Sequence, residues 1–191
     1  CDELGVKVVS LTLLSSDNLR KRDSKELDDL IEIIAELAES LASRGNWRVQ
    51  HVGRSDILPA GLARVLADAE ERTRDHTGLH VNLAVGYGGR HEIVDAVRSI
   101  IAAHDASGGT LEDLAAHLTP EMIGEHLYTG GQPDPDLVIR TSGEQRLSDF
   151  QLWQSAHSEL YFVEALGTAL RRVDFLRAIR DFADRDRRFG R

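Results

Sequence analysis

Four stretches of this chain read as strands, and each breaks off sharply. Val6 to Leu14 and Leu137 to Ile139 are apolar and rich in β-branched residues, as buried strands are, while Trp47 to Val52 and Leu79 to Val85 alternate apolar with polar residues, as half-exposed strands do. Val6 to Leu14 runs into Ser15-Ser16-Asp17-Asn18, and Trp47 to Val52 runs into Gly53. Leu79 to Val85 meets Gly86-Tyr87-Gly88-Gly89-Arg90, and Leu137 to Ile139 meets Arg140-Thr141-Ser142-Gly143. Between these stretches apolar residues recur three and four apart, which is the helical period. Asp23, with Glu26 three residues on, opens a helix that carries Leu27, Leu30, Ile31, Ile34, Leu37 and Leu41 on one face and stops at Gly45. Further helices are predicted from Pro59 to Arg74 and from His91 to Ala103, the latter with Ile93, Val94, Val97, Ile100 and Ile101. Two short ones follow, Leu111 to His117 and Pro120 to Leu127. A last begins near Val173, with Phe175, Ile179 and Phe182 on one face. Strands that alternate with helices build βαβ units, so the fold class is α/β, a twisted parallel β-sheet flanked by helices. The strand-ends at Ser15 to Arg22, Gly86 to Arg90 and Arg140 to Ser148 are then expected on one edge, where ligands of such sheets bind.

Composition narrows the function. With 191 residues the chain fits one domain, and no linker, repeat or low-complexity tract divides it. Its 23 basic and 32 acidic residues give a formal charge of −9, which argues against a nucleic-acid partner. No apolar run reaches the length of a membrane span. The one cysteine, Cys1, excludes an internal disulfide and fits a reducing, cytoplasmic setting. Cys1 to Gly5 reads as the tail of a helix with a glycine cap, so a further N-terminal segment is expected before it.

The polar strand-end at Arg140 is the richest in chemistry. Arg140, Arg146 and the hydroxyls of Thr141, Ser142 and Ser148 crowd a loop that pivots on Gly143. Arginine suits phosphate because its planar fork donates two parallel hydrogen bonds. The plainer alternative is a surface salt-bridge loop, with both arginines paired to Glu144 and Asp149. The glycine-rich turn after Val85 brings backbone close to a phosphate or merely to a neighbouring strand, and it matches neither of the common nucleotide fingerprints.

Taken in order, these residues resemble a known family. Asp136-Leu-Val-Ile-Arg140-Thr-Ser-Gly-Glu-Gln-Arg146-Leu147-Ser148, then Leu152-Trp153-Gln154 and Ser158-Glu159-Leu160-Tyr161-Phe162, resemble the signature of cis-prenyltransferases, the undecaprenyl diphosphate synthase family. Ser15-Ser16-Asp17-Asn18, Tyr87-Gly88-Gly89-Arg90 and Arg187-Arg188-Phe189-Gly190 resemble its other motifs. The resemblance spans essentially the whole chain.

It implies a homodimer of single-domain subunits with a hydrophobic tunnel beside the sheet. The implied enzyme is a prenyl transferase that condenses isopentenyl diphosphate onto an allylic diphosphate, forming a cis double bond with Mg2+. By resemblance, Arg140, Arg146 and Ser148 hold the diphosphate of isopentenyl diphosphate. Ser15, Ser16, Asp17, Leu19, Arg22 and Leu147 line the substrates, and Arg188 reaches the partner subunit's site. Glu159 is the implied magnesium ligand; its plain reading is a strand-edge surface carboxylate. Asn18 is the implied helper in proton removal. Since an amide is a poor base, it is expected to orient a phosphate or water that takes the proton, or to serve only as a turn residue. Membrane contact is at most peripheral.

Three departures matter. The family's Asp-Gly-Asn loop is not among these residues and is expected upstream of Cys1, so the domain at 1–191 lacks its N-terminal strand, loop and helix. Leu19 replaces an aromatic, and the loop arginine aligns with Lys21 or, keeping the spacing to Glu26, with Arg22. Leu13 and Leu14 replace a small residue followed by an aromatic; the extra methylene volume at a tunnel wall predicts a short product, about C15 to C20. The rival readings are a non-catalytic scaffold subunit and a variant that couples two allylic units head to middle. Both tend to erode an arginine-serine signature that is intact here.

Overall fold

A computed structural model describes residues 1–21 and 23–185. The chain divides into two compact units, 1–133 and 134–191. The architecture is mixed α/β with parallel strands and flanking helices, as expected.

In the first unit, strands β1 (Val8–Ser15), β2 (Arg48–Val52) and β3 (His80–Tyr87) form a parallel sheet in the order β1-β3-β2. Helices α1 (Ser16–Lys21), α2 (Ser24–Ala42), α3 (Ala60–Arg72), α4 (Gly89–Ala106), α5 (Leu111–His117) and α6 (Pro120–His126) connect and cover it. Successive side chains of a strand point to opposite faces. Val49, Val81 and Leu83 accordingly join Ile34, Ala38, Leu62 and Leu66 of α2 and α3 in one core. The intervening residues Ser10, Asn82 and Gln50 stand in one row across the three strands.

That row is polar, with Asn82 buried and Ser10 and Gln50 half-buried, and it is hydrogen-bonded internally. Asn82, fully buried, donates to Ser10 Oγ at 3.1 Å and to Gln132 Oε1 at 2.7 Å. Gln132 donates to Gln50 Oε1 at 3.0 Å, and Gln50 donates to the Tyr128 carbonyl at 3.1 Å. The network ties the 128–132 segment to the sheet. A buried polar group needs such partners.

Three local expectations are revised. The Ser15 to Lys21 stretch is the end of a strand and a short helix rather than a loop. β3 is not half-exposed: as the central strand, it is buried at every position from Val81 to Tyr87. On α4 the buried residues are Gly89, Glu92, Ala96 and Ile100, while Val94 and Ile101 are exposed. Glu92 goes inside because Tyr87 Oη donates to Glu92 Oε2 and the Tyr128 N–H donates to Glu92 Oε1 at 3.0 Å.

In the second unit, β4 (Leu137–Arg140) pairs in parallel with β5 (Glu159–Phe162), with Leu137 opposite Glu159 and Arg140 opposite Phe162. α7 (Arg172–Ala183) follows, its N-terminus closed by reciprocal hydrogen bonds between Arg171 and Asp174.

Candidate functional site

Two of the three expected strand-ends meet within the first unit. The register sets Ser15 opposite Tyr87, so the ends of β1 and β3 open side by side. The register also slips between Thr12 and Leu14 and again between Leu14 and Ser15. Such bulges re-aim side chains and recur beside active sites. Here the slip leaves Leu13 without a partner and turns Leu14 into the core, 1% exposed.

At this edge Ser15 Oγ accepts from the Asn18 backbone N–H at 3.1 Å, which holds the first turn of α1. Ser16 is buried, Leu19 packs against the core and Asn18 is exposed. Asp17 pairs with Arg20 at 2.7 Å and Lys21 at 3.2 Å. These two cations, Arg20 foremost, hold its carboxyl below the usual range. Lys21 is thus engaged by Asp17; Arg22, the other candidate for the loop contact, lies outside the described residues.

The third strand-end belongs to the second unit. After Arg140 the backbone turns left-handed at Ser142 (φ 74°) and Gly143 (φ 69°), and again at Ser148 (49°), Asp149 (64°) and Gln151 (43°). All four non-glycine residues with this backbone, among the described residues, lie in this ten-residue loop. Strained conformations of this kind cluster at functional sites. The turn is pinned by Ser142 N–H to Ala165 O at 2.8 Å and Gly143 N–H to Val163 O at 2.9 Å. Gly143 suits its φ of 69°, which side-chain-bearing residues rarely adopt; the atom nearest to a Cβ built there is the end of the exposed, flexible Glu164 side chain, so φ rather than space favours glycine.

The turn brings Glu144 between the two arginines. Arg140 Nη2 donates to Glu144 Oε2, and Arg146 Nη2 donates to Glu144 Oε1 at 2.6 Å. These contacts, Arg140 first, lower the Glu144 pKa. Arg140 Nε is buried and has no hydrogen-bond partner among the described residues. The loop therefore does form ion pairs, as the plainer reading of the sequence had it, yet an arginine donor is left over. Leu147 is half-buried, with its carbonyl accepting from Phe150 N–H at 3.2 Å, and Ser148 is exposed.

Glu159 does not sit with this pair. It opens β5 beside Leu137, three positions from the Arg140 end, roughly 10 Å along the strands. Its Oε2 accepts from Arg185 Nη1 at 2.7 Å. Among the described residues no group of three or more His, Cys, Asp or Glu side chains could hold a metal. Glu159 can offer one carboxylate donor, and a magnesium ion there would depend on substrate phosphates and on ligands beyond the described residues. Arg188 also lies outside the described residues.

The Glu144 ion pairs named from the sequence are present; sequence reading missed Arg185 as the partner of Glu159 and the buried Glu92, neither of which left a signal.

Comparison with known proteins decides the family. The model of the undecaprenyl diphosphate synthase family of prenyltransferases matches residues 1–190. The chain belongs to the undecaprenyl diphosphate synthase family. It is 56% identical, over all of its length and 74% of the relative's, to the (2Z,6E)-farnesyl diphosphate synthase of Thermobifida fusca. It is 55% identical to isoprenyl transferase 1 of Streptomyces avermitilis, again over its whole length and 74% of the relative's. Among solved structures, lavandulyl diphosphate synthase from Lavandula x intermedia in complex with dimethylallyl diphosphate superposes with a TM-score of 0.89. That structure is 32% identical, and the match covers the whole of this chain and 81% of the other.

Proposed function

We propose that this family member is a short-chain cis-prenyl elongating enzyme, condensing isopentenyl diphosphate with an allylic diphosphate to give a product of about C15 to C20, as the added side-chain volume at Leu13 implies. The observation that carries the reading is the intact Arg140 to Ser148 signature in a chain more than half identical to a (2Z,6E)-farnesyl diphosphate synthase.

In this reading Arg140, Arg146 and Ser148 hold the diphosphate of isopentenyl diphosphate and fix its double bond in line with the allylic carbon. The allylic carbon–oxygen bond breaks as the new carbon–carbon bond forms, and a proton then leaves the condensation product. Preorganised cations favour this by orientation and by stabilising the charge that develops on the departing diphosphate. Ser15, Ser16, Asp17, Leu19, Arg22 and Leu147 line the substrates. Asn18, exposed at the start of α1, orients the phosphate or water that takes the proton. The family's magnesium requirement extends to this chain, with Glu159 as a carboxylate ligand; the ion would neutralise diphosphate charge. A cytoplasmic homodimer, with Arg188 reaching the partner's site and a tunnel for the growing chain, completes the reading. No helix among the described residues is long and apolar enough to cross a membrane.

A second reading is head-to-middle coupling of two allylic units; a lavandulyl diphosphate synthase in complex with dimethylallyl diphosphate shares the fold. One assay separates them. The full-length protein is incubated with radiolabelled isopentenyl diphosphate and geranyl or dimethylallyl diphosphate, and the products are sized. A cis product of fifteen or twenty carbons is expected. A labelled product in a parallel incubation with radiolabelled dimethylallyl diphosphate alone would establish the second reading, polyprenyl products of fifty carbons or more would exclude the short tunnel, and no turnover would indicate a scaffold subunit.

A further inference from the structure

Glu144 stands between two arginines that are assigned to the same anionic substrate. A carboxylate there is, at first sight, a competitor: it lowers the net charge of the cluster from +2 to +1 and occupies one amino group of each fork. The details of the loop point the other way. Glu144 uses one oxygen on each arginine, and it takes only the Nη2 atoms. The Arg140 Nε is left buried and without a protein partner. The Arg146 side chain remains 66% exposed, so its other donors are open to a ligand.

Two guanidinium groups brought close together repel one another, the more so when one is largely removed from water, as Arg140 is at 28% exposure. A single carboxylate that accepts from both removes that repulsion and sets their separation. The backbone is arranged to deliver it. The left-handed pair Ser142 and Gly143, anchored on Ala165 and Val163, folds the chain back so that Glu144 lies against the arginine four residues before it. A loop that accepts backbone strain to place a carboxylate between two cations is built for position, since a simple phosphate trap would be served by the cations alone.

We propose that Glu144 is a positioning residue that clasps Arg140 and Arg146 into one preassembled cradle for a diphosphate, which then engages the Nε and Nη1 donors the clasp leaves over. This rests on the reading that these arginines hold isopentenyl diphosphate. It predicts a sign opposite to that of net charge: removal of Glu144 weakens diphosphate binding although the site becomes more positive. Aspartate is one methylene too short to span both forks, and glutamine keeps one acceptor oxygen of the two.

The test is steady-state kinetics of the full-length enzyme and of Glu144→Ala, Glu144→Gln and Glu144→Asp, with inorganic pyrophosphate binding measured by calorimetry. Loss of charge-assisted hydrogen bonds on this scale should raise the KM for isopentenyl diphosphate about tenfold or more in Glu144→Ala, with Glu144→Gln in between and pyrophosphate affinity falling in parallel. The KM for the allylic diphosphate and the melting temperature should stay near wild type, which a merely structural role would not allow. An unchanged or lower KM for isopentenyl diphosphate in Glu144→Ala overturns the clasp. Arg140→Ala and Arg146→Ala are the control: if neither raises that KM, the assignment of the arginines has failed, whereas if both do and the Glu144 variants do not, only the clasp has failed.

Discussion

Glu159 Oε2 and Arg185 Nη1 are 2.7 Å apart, joining the first residue of β5 to the residue just past the C-cap of α7 across 26 residues of chain. The same guanidinium also donates to the Leu160 carbonyl at 3.2 Å and, through Nε at 3.0 Å and Nη2 at 2.6 Å, to Asp181. The carboxylate proposed as a magnesium ligand is therefore already occupied by a cation. Both partners are about one-third exposed, so the pair is worth little in stability. Its effect on metal binding should be visible all the same. Arg185→Gln should lower the magnesium concentration for half-maximal activity by about twofold to fivefold, the range of an exposed ion pair. The measurement is a magnesium titration of activity. A midpoint that does not move would remove Glu159 from the metal site.

Leu13 and Leu14 are neighbours in sequence with different structural roles. Leu14 is a core residue, and its truncation to alanine should cost about 2 to 5 kcal/mol, read from denaturant unfolding. Leu13, at the bulge, is only half-buried and should cost less. If Leu13 walls the tunnel, Leu13→Ala should shift the product distribution beyond C20 while leaving the enzyme folded. Chromatography of the products checks this. An unchanged product length in Leu13→Ala would move the chain-length determinant elsewhere.

How much of this was legible in the sequence follows from how local each cause is. β1, β2 and β3 and the helices between them carry their own periodicity and were found close to their true bounds. The burial of β3 was not legible. Asn82 is stable inside only because Ser10 and Gln132 reach it from 72 and 50 residues away, and no pattern within LHVNLAV records that. Glu92 was missed for the same reason, since a carboxylate in the first turn of a helix ordinarily faces water. In the candidate site, Arg140 and Arg146 were legible as cations after a strand. Glu144, four residues on, was legible only as a salt-bridge partner, because the left-handed turn that places it between both arginines is a property of backbone geometry. Arg185 could not have been assigned to Glu159 from spacing.

The polar row across the first sheet gives a direct test of that long-range cause. Asn82→Ala removes two donated hydrogen bonds and leaves Gln132 and Ser10 facing the vacated position. The buried groups left unpaired should cost about 2 to 3 kcal/mol. For a chain of this size that is a fall in melting temperature of roughly 5 to 10 °C. Scanning calorimetry measures it. A change within a degree would mean that water replaces the amide and that the row does not hold the 128–132 segment.

Two histidines set the mildly acidic limit of stability. His51 Nε2 lies 2.9 Å from the Val85 carbonyl, and His80 Nε2 lies 3.0 Å from Gln50 Oε1. Burial lowers the pKa of His51, opposed more weakly by the Val85 carbonyl and Glu70; burial and then Arg48 lower that of His80. Both folded-state values thus lie below the unfolded value near 6.5. Between the two the unfolded chain binds more protons than the folded one, so stability rises with pH through that window. It is fully present above about pH 6.5 and is lost as the pH falls toward the lower folded values. Carboxylates held low by arginine, such as Asp174 beside Arg171, act separately, losing their contribution only as the pH falls below about 4. The melting temperature should therefore be flat from about pH 7 to 8 and fall between about pH 6.5 and 5. Glutamine at position 51 keeps an amide donor for the Val85 carbonyl and does not titrate, so His51→Gln should flatten the mildly acidic limb, and the double variant with His80→Gln should flatten it further. If the double variant loses stability over that interval as steeply as the wild type, the acid sensitivity arises from other groups.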